Sequence, residues 1–584
     1  MAAFLSRSLW SCVSLALWLP AAGLSAATVW SPRTDAGSRV DIQVESWLEQ
    51  CPPSGVAPIR LKIRNPDSQA HTWTITSSSG NGTISSVSLT VDPGSYGERM
   101  FYAPVALRTD NSYYSNLNIR VAGHAVLDGG TGGLHNSSGY GSNRTEFIGM
   151  SAKLHAKGWS ALESSISGSS GSSGDLAGSK VDMATAPDDW RGYSGLSQLW
   201  MDESEWSSMS AASRAAMLDW VATGGRVYVL CLNASDEHVN GLGMPEKVMG
   251  RRRLGAGEMF VWSWDGKALP VDAMVASIRA MDQVSRRKQL QGYDSKWNLA
   301  DIVGPLTIKS GLIFGFIAVF GLLVGPVNLF WIARAGRRQR LFWTTPLISL
   351  AGSGLLMVLM VLQDGLGGSG ARVVLAQLMP EQKRIILTQE QVAKTGVLLG
   401  RSFERKDADL MLPLDLRSSR YGYDSFEAGR KHEESESARV GDWFSSRAVQ
   451  AHLLQTVRPS RASIELFPGA DPTSPPSLLS TVETPLAKVF AVDDKGKVWV
   501  TEDLGTGEKK VTRPSQMSEL SGWMRERARK LSGSVIVSVL NQLENRRGYV
   551  YAEAADASKF AIATLPSIRW TEERLLIAGP CVKR

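Results

Sequence analysis

Two uninterrupted apolar runs, Leu312 to Ile332 and Phe342 to Leu362, constrain this chain more than any other feature. Each is about twenty residues long, the length at which an α-helix spans the hydrocarbon core of a bilayer. Neither run contains a charged residue, whereas the core helices of soluble domains usually carry a polar stripe. The sequence therefore predicts transmembrane helices over residues 308–333 and 342–363, with a lipid bilayer as a partner.

The loop between the runs, residues 334–341, predicts how the hairpin is oriented. It contains four arginines: Arg334, Arg337, Arg338 and Arg340. Short loops rich in Arg stay on the cytoplasmic side of a membrane. We therefore expect both flanks, with the amino and carboxyl termini, on the extracytoplasmic side of the inner (cytoplasmic) membrane.

Small residues in the first run suggest how the hairpin packs. Four glycines occur in two pairs spaced by four residues: Gly311, Gly315, Gly321 and Gly325. This spacing lets helix backbones approach closely. Pro326 and Asn328 predict freed backbone carbonyls and a polar contact between the helices near the inner end.

Residues 1–27 have the three parts of a secretory signal peptide. Arg7 precedes an apolar run from Leu9 to Leu19, and small residues follow it. The signal peptide and the Arg loop are independent indications, and they agree in placing most of the chain in the periplasm of a Gram-negative-type envelope.

Length and composition narrow the class of protein. A chain of 584 residues is too long for one hydrophobic core, so several domains are expected. The net charge of +7 comes from scattered Arg and Lys, and we do not expect nucleic-acid binding. The seven histidines show no metal-binding motif, and no cofactor is expected. Whether Cys51 and Cys581 form a disulfide stays open.

Residues 28–130 alternate between apolar and polar in five short stretches, a pattern typical of strands. Turn-forming residues separate these stretches. The spacing predicts a β-sandwich of the immunoglobulin-like type.

Residues 140–300 have a different pattern. A strand is predicted at 145–150 and another at 196–201, followed by a helix from about Ser210 to Ala222 with Ser208 or Ser210 as its cap. Two glycines end that helix before an apolar strand at 226–232. Strand, helix, glycine turn and buried strand predict an α/β domain with a parallel, flavodoxin-like sheet.

Two segments of this region, 190–193 (WRGY) and 218–229 (LDWVATGGRVYV), carry a resemblance to a known family. They resemble the class I glutamine-amidotransferase-like domain of bacterial two-span membrane proteins that are largely uncharacterised. The segments GPVN at 325–328 and WTTP at 343–346 are similar to the membrane hairpin of the same proteins. The resemblance covers about residues 145–365 and implies an architecture more than an activity.

Cys231 is the one candidate catalytic residue. A working amidotransferase needs a thiolate on a tight strand-to-helix turn, with glycines beside it and a His as base. Cys231 ends a predicted strand, but its neighbours are Leu230 and Leu232, and no His-x-Glu follows before the membrane. The domain is therefore interpreted as catalytically degenerate, with Cys231 as a small buried residue.

Residues 371–584 are predicted to form a β-rich α+β region on the periplasmic side. Its charged stretch, 402–442, is interpreted as an irregular insertion. A hairpin is predicted around the turn at 493–496, a helix at about 515–531, and a strand at 535–540.

These features favour a membrane-anchored periplasmic binding or scaffold protein that holds an envelope protein partner. Two alternatives stay open: a periplasmic cysteine hydrolase or amidase using Cys231, and an accessory subunit of an export or transport system.

Overall fold

The computed structural model of the chain divides into two compact units, Met1–Ser285 and Arg286–Arg584. It describes residues 27–35, 37–79, 83–105, 116–127, 131–135, 146–170, 176–232, 250–281, 293, 297–305, 310–333, 335–414, 416, 431–469, 471, 474–530, 535–554 and 556–584. The protein is mostly β-sheet, arranged in several sheets, with a few helices.

The first unit begins with eight strands in two antiparallel ladders. They are β1 (Ala27–Trp30), β2 (Asp41–Ser46), β3 (Gly55–Arg64), β4 (His71–Ser79), β5 (Thr83–Val91), β6 (Tyr96–Val105), β7 (Asn116–Gly123) and β8 (Gly132–His135). One ladder runs β1-β2-β3-β6 and the other β5-β4-β7-β8. Side chains from both ladders, including Val44, Ile59, Trp73 and Ile119, form one apolar core. All five stretches predicted from alternation are strands.

The rest of the first unit alternates strands and helices. Its elements are β9 (Glu146–Ser151), α1 (Ala152–Ser170), β10 (Leu176–Val181), β11 (Gln198–Asp202), α2 (Glu203–Ser208), α3 (Ala211–Ala222), β12 (Arg226–Cys231), β13 (Gly250–Leu254), β14 (Gly257–Ser263) and α4 (Val271–Met281). The sheet order is β10-β9-β11-β12-β14-β13, and every pair is parallel except β13 with β14. Ser210 caps α3, as one of the two predicted caps, by accepting from the Ser213 N–H.

Aromatic rings line one face of this parallel sheet. Trp200, Tyr228 and Phe260 occupy paired positions on three neighbouring strands. The Trp200 and Tyr228 rings stack with centroids 3.8 Å apart, and those of Tyr228 and Phe260 are 4.6 Å apart. Trp200 and Tyr228 are buried, and their stacking helps to stabilise the strands whose ends form the candidate site.

The ladders and the parallel sheet pack on each other within the first unit. The Trp47 indole N–H donates to the Asp182 carbonyl at 2.8 Å, and the Tyr102 hydroxyl donates to the Asp188 carboxylate at 2.9 Å. Gly55, at φ +86°, lies so close to Ser194 that a Cβ would be 2.6 Å from its carbonyl oxygen. The two regions predicted as 28–130 and 140–300 therefore share one compact unit up to residue 285.

The second unit contains the apolar hairpin. A short helix, α5 (Asn298–Val303), precedes α6 (Ser310–Leu322), which continues as a π-helical stretch, Leu323–Ile332. Pro326 lies in that stretch and has no N–H for an α-helical ladder. The return helix is α7 (Leu341–Asp364).

Both arms of the hairpin are long and apolar enough to cross a membrane. Their most apolar 18-residue windows, within Gly311–Ile332 and Arg338–Asp364, have mean hydropathies of 2.3 and 2.0. Large apolar side chains on them are open, with Phe342 86% and Trp343 83% exposed. Such a surface is costly to hydrate.

The remainder of the second unit, in its described residues, comprises two sheets, a short ladder and two helices. Its elements are β15 (Gly368–Met379), β16 (Arg384–Thr395), β17 (Phe403–Glu404), β18 (Asp409–Leu414), β19 (His432–Glu434), β20 (Ala438–Gly441), β21 (Val449–Pro459), β22 (Ile464–Phe467), β23 (Ser477–Ser480), β24 (Leu486–Val492), β25 (Val498–Leu504), β26 (Lys509–Val511), β27 (Arg513–Ser515), α8 (Met517–Lys530), α9 (Val535–Leu543), β28 (Tyr549–Ala554), β29 (Ile568–Pro580) and β30 (Val582–Lys583). One sheet has the order β18-β21-β16-β15-β29-β28-β24-β25-β27, and the other β26-β23-β22-β30. The short antiparallel ladder has the order β17-β20-β19. The predicted hairpin around 493–496 is confirmed as β24 and β25.

The interpretation of 402–442 as an irregular insertion is wrong for its described residues, which include β17 to β20. The Arg439 guanidinium lies between the carboxylates of Asp409, at 2.7 Å, and Glu434, at 3.1 Å. Arg405 pairs with the same two carboxylates. These four charges sum to zero and are almost completely buried, so residues that suggest a solvated loop in the sequence instead form an internal ion-pair network.

The prediction of a strand at 535–540 is also wrong, because that segment begins α9. Buried side chains stabilise the start of this helix: the Val535 N–H donates to the Tyr293 hydroxyl at 2.7 Å, and the Ile536 N–H donates to the Glu390 carboxylate at 2.8 Å. Tertiary capping thus overrides the strand preference of the β-branched residues.

Candidate functional site

The carboxyl ends of the parallel strands of the first unit bring three polar residues to one edge. Ser151 ends β9, Asp202 ends β11 and Cys231 ends β12. Strands β9 and β11 are neighbours, while the chain leaves β9 for β10 on its other side. Ligands of open α/β sheets bind at such a switch in strand order, so this edge is where a catalytic site is expected.

Asp202 is committed to local structure at this edge. Its carboxylate accepts from the Glu205 N–H at 2.9 Å and from the Ser204 hydroxyl at 2.8 Å, and it pairs with the Lys153 ammonium. The Glu205 carboxylate reaches back to accept from the Asp202 N–H at 3.1 Å. This reciprocal pair is a capping box that starts α2.

The pKa values of the two carboxyl groups move in opposite directions. Burial raises the pKa of Asp202, but hydrogen bonds from Lys153, the Glu205 N–H and Ser204 outweigh it, so this pKa lies below the usual range. Burial raises the pKa of Glu205 above its usual range, although a hydrogen bond from Ser151 opposes the shift. Opposite shifts can mark an acid–base pair, but here both groups already have structural partners.

Cys231, the predicted nucleophile candidate, is fully buried. Burial, and then the charge of Glu203 and a hydrogen bond to it, raise the pKa of the Cys231 thiol to about 12. A nucleophilic cysteine has the reverse, a lowered pKa and an accessible sulfur. At neutral pH Cys231 is therefore a protonated, enclosed thiol. Glu237 and His238, which follow it in the sequence, lie outside the described residues.

The remaining predicted site residues lie on the hairpin. Arg337, Arg338 and Arg340 are exposed, and Arg334 lies outside the described residues. The four glycines Gly311, Gly315, Gly321 and Gly325 face open space, because a Cβ on any of them would meet no atom within 4 Å. Any close helix contact made through these glycines stays a prediction.

The contacts between α6, its π-helical extension and α7 occur elsewhere. A Cβ on Gly352 would lie 2.5 Å from the Phe320 ring. Asn328 is fully buried; its amide donates to the Thr345 hydroxyl at 3.0 Å and accepts from the Thr344 hydroxyl at 2.7 Å. The predicted polar contact through Asn328 is confirmed.

A cavity of about 540 Å³ lies where α7 meets β15. Asp364, Lys394 and Arg569 line it, and Asp364 pairs with Arg447 at 2.7 Å. Charges of both signs surround this space, so its lining does not select one class of ligand.

Sequence reasoning missed one group of potential metal ligands. Asp67, His71 and His124 place one donor atom each within 4.8 Å of one another. Asp67 and His71 are four residues apart, a signal that was available in the sequence. His124 joins them only because β7 pairs with β4, and that pairing is not evident from local sequence.

Comparisons with known proteins do not identify a family or a function for the chain. No family model and no curated protein matches the chain. A crystal structure of a cycloisomaltooligosaccharide glucanotransferase from Paenibacillus sp., complexed with cycloisomaltoheptaose, matches with 12% sequence identity and a TM-score of 0.16. The match covers 35% of this chain and 29% of that one. This likeness carries no inference about function.

Proposed function

We propose that this protein is a membrane-anchored binding or scaffold protein on the periplasmic side of the inner membrane, working with an envelope protein partner. In this proposal the ladders of the first unit are an immunoglobulin-like sandwich, and its parallel sheet is a catalytically degenerate domain of the amidotransferase-like family. The hairpin is the anchor.

One observation carries the non-catalytic part of the proposal. The edge at which an α/β sheet holds its site contains a buried Cys231 whose pKa is raised to about 12. The Asp202 carboxylate beside it is occupied by a helix cap and a lysine. The same observation counts against a hydrolase or amidase that uses Cys231.

The strand order supports the family assignment. The sheet order β10-β9-β11-β12, all parallel, is the doubly wound arrangement that flavodoxin-like domains share. Cys231 ends the fourth strand of the chain's alternating region. Fold alone does not give function. The assignment therefore supports an architecture, and the activity has to be judged from Cys231 and its neighbours.

Exposed apolar side chains on both arms support the membrane anchor, and the exposed arginines between them support its orientation. Alkaline phosphatase fused after residue 584 should be active, and the same enzyme inserted in the loop 334–341 should be inactive. Replacing Arg334, Arg337, Arg338 and Arg340 by serine should weaken this difference. The reverse pattern in the unmodified chain would contradict the proposed topology.

A chromosomal Cys231→Ala variant tests the function. The variant should match the wild type in every phenotype that deletion of the gene produces, and cross-linking in intact cells should capture the same partner at the same yield. A variant that behaves like the deletion, with the amount of folded protein unchanged, would establish a catalytic or thiol-based role. A wild-type chain that captures no partner would contradict the scaffold proposal.

A further inference from the structure

Asp67, His71 and His124 converge at one end of the ladder β5-β4-β7-β8. Asp67 lies in the loop before β4, His71 is the first residue of β4, and His124 follows β7. One Asp67 carboxylate oxygen lies 2.8 Å from the His124 Nε2 and 3.3 Å from the His71 Nε2. We propose that this triad, here called the His-His-Asp cluster, is a binding site for a divalent transition metal ion, with Zn²⁺ as the first candidate.

The donor set selects the class of metal. Two imidazole nitrogens and one carboxylate oxygen suit Zn²⁺, Cu²⁺ or Ni²⁺, whereas Mg²⁺ and Ca²⁺ prefer all-oxygen sites. In a tetrahedral zinc site, metal–ligand bonds of about 2.0–2.2 Å put neighbouring donors about 3.3 Å apart. The Asp67 carboxylate oxygen lies 2.8 and 3.3 Å from the two Nε2 atoms, and no two donor atoms of the cluster are more than 4.8 Å apart. These distances bracket the value expected for zinc. The donor spacing therefore fits one shared ion, but each imidazole coordinates in its own ring plane, so the stacked rings must turn out of their parallel arrangement to bind it.

The two imidazole rings already present their Nε2 atoms side by side. The rings stack with centroids 3.8 Å apart and planes 6° from parallel. Both Nε2 atoms lie within 3.3 Å of the same carboxylate oxygen. On binding, each neutral ring coordinates through Nε2 and carries its proton on Nδ1, and any ring that starts as an imidazolium releases one proton to solvent.

The backbone around Asp67 is held in place without a metal. The Asp67 N–H donates to the Asn65 side-chain oxygen at 3.2 Å, and the Gly94 N–H donates to the Asp67 carbonyl at 3.1 Å. Asn65 is fully buried, and its amide donates to the carbonyls of Gln69 and Val91. A loop fixed in this way loses little entropy when its carboxylate binds an ion.

The two histidines are fixed by Trp73. The Trp73 indole N–H donates to the His124 carbonyl at 2.9 Å, and the Trp73 ring packs edge-on against His71. Gly123, before His124, has φ +152° and lies so close to Trp73 that a Cβ would be 2.5 Å from its ring. Trp73 is itself part of the apolar core, so the core positions two of the three ligands.

The cluster is also accessible. The side chains of His71, Asp67 and His124 are 20%, 35% and 45% exposed. An ion held by three protein donors at such a surface keeps a coordination position for water or a donor from another molecule. This arrangement is suited to a site that exchanges ligands.

Equilibrium dialysis of the purified full-length protein in detergent, carrying an affinity tag without histidines, tests the proposal. The wild type should bind one Zn²⁺ more than the His124→Ala variant, or bind it on the order of 100-fold more tightly. Asp67→Asn, which keeps a similar shape, should weaken binding at least about tenfold. Excess Mg²⁺ should not displace the ion.

His135→Ala is the matched control, because His135 is an exposed histidine of the same ladder that contacts Asn116 and no member of the cluster. It should bind Zn²⁺ as the wild type does. Co²⁺ added in place of Zn²⁺ should give visible absorption bands of a site with nitrogen ligands in the wild type and His135→Ala, and lose them in His124→Ala. Equal Zn²⁺ binding by the wild type and His124→Ala, or no binding by either, would overturn the proposal.

Discussion

Two sites in the first unit contrast with each other: one has the position expected of an active site, and the other has side chains arranged to bind a ligand. The carboxyl edge of the parallel sheet has the position of an active site, yet Cys231 is enclosed and Asp202 caps a helix. The His-His-Asp cluster has no motif and lies outside that sheet, yet its donors converge and are open to solvent. Position in a fold and capacity for chemistry are therefore separate properties.

The difference comes from what each polar group has already bound. At the parallel-sheet edge, the carboxylates of Asp202 and Glu205 accept from backbone N–H groups and stabilise α2. In the cluster, the Asp67 carboxylate pairs with His71 and His124, which are themselves potential ligands. A carboxylate that already accepts structural hydrogen bonds is unavailable to a ligand. The Asp67 carboxylate, whose backbone is held in place by hydrogen bonds of its own, remains available.

The largest expected loss of stability contrasts the two aspartates. Asp202→Ala removes a helix cap and an ion pair with the half-exposed Lys153, and should cost about 2 kcal/mol in the free energy of unfolding. Asp67→Ala removes a partly exposed carboxylate and should cost less than about 1 kcal/mol. Thermal unfolding of the full-length protein, followed by tryptophan fluorescence in EDTA, measures both.

Asp202→Asn is the control for that contrast. It keeps an oxygen that can accept from the Glu205 N–H and loses the attraction to Lys153, so its Tm should lie between those of the wild type and Asp202→Ala. Equal losses for Asp67→Ala and Asp202→Ala would show that the two sites do not differ in structural commitment.

Zinc should sharpen the contrast by stabilising only the open site. At a Zn²⁺ concentration about 100 times the Kd, the wild type should gain about 2.7 kcal/mol. His124→Ala should gain less than about 0.5 kcal/mol, while its Tm in EDTA stays near that of the wild type because His124 is 45% exposed. A zinc-dependent rise in Tm that survives in His124→Ala would assign the ion to another site.

Replacing Cys231 should have a smaller effect. Cys231→Ala removes one buried sulfur from a packed environment and should cost about 1 kcal/mol. Cys231→Ser, which can still donate to Glu203, should cost a similar amount. Differential scanning fluorimetry of the two variants checks this, and a loss above about 3 kcal/mol in either would show that the thiol has a greater structural role.

The last effect appears only at alkaline pH. Because folding raises the pKa of Cys231 to about 12, the protonated thiol favours the folded state. This contribution is complete below the unfolded thiol pKa of about 8.5 and is lost as pH rises toward the folded value. The Tm of the wild type should therefore fall more steeply than that of Cys231→Ala above about pH 8.5. Parallel pH profiles would mean that the folded thiol titrates normally.

Local patterns were enough to predict much of the fold. The apolar hairpin, the five alternating strands of the ladders and the strand that ends at Cys231 follow from hydropathy and periodicity within single segments. Ser210 was one of two candidate caps, with Ser208, because its signal lies within one turn of the helix that it starts.

Features that depend on distant partners were not predicted. The start of α9 is capped by Tyr293 and Glu390, which lie more than 100 residues before it. Arg439 can be buried because the buried carboxylates of Asp409 and Glu434 neutralise its charge. His124 becomes a potential ligand only when β7 pairs with β4. In each case the sequence shows the groups but not the pairing that sets their environment.

Thiol labelling of the native full-length protein tests the central claim most directly. The protein is exposed to iodoacetamide at neutral and at mildly alkaline pH, quenched and digested, and mass spectrometry of the peptides reports Cys51, Cys231 and Cys581 separately. We expect Cys231 to remain unlabelled at both pH values until denaturant is added, since its sulfur is buried and protonated. Rapid labelling of Cys231 in the native protein, persisting as the pH is lowered, would identify an activated nucleophile and contradict the non-catalytic proposal.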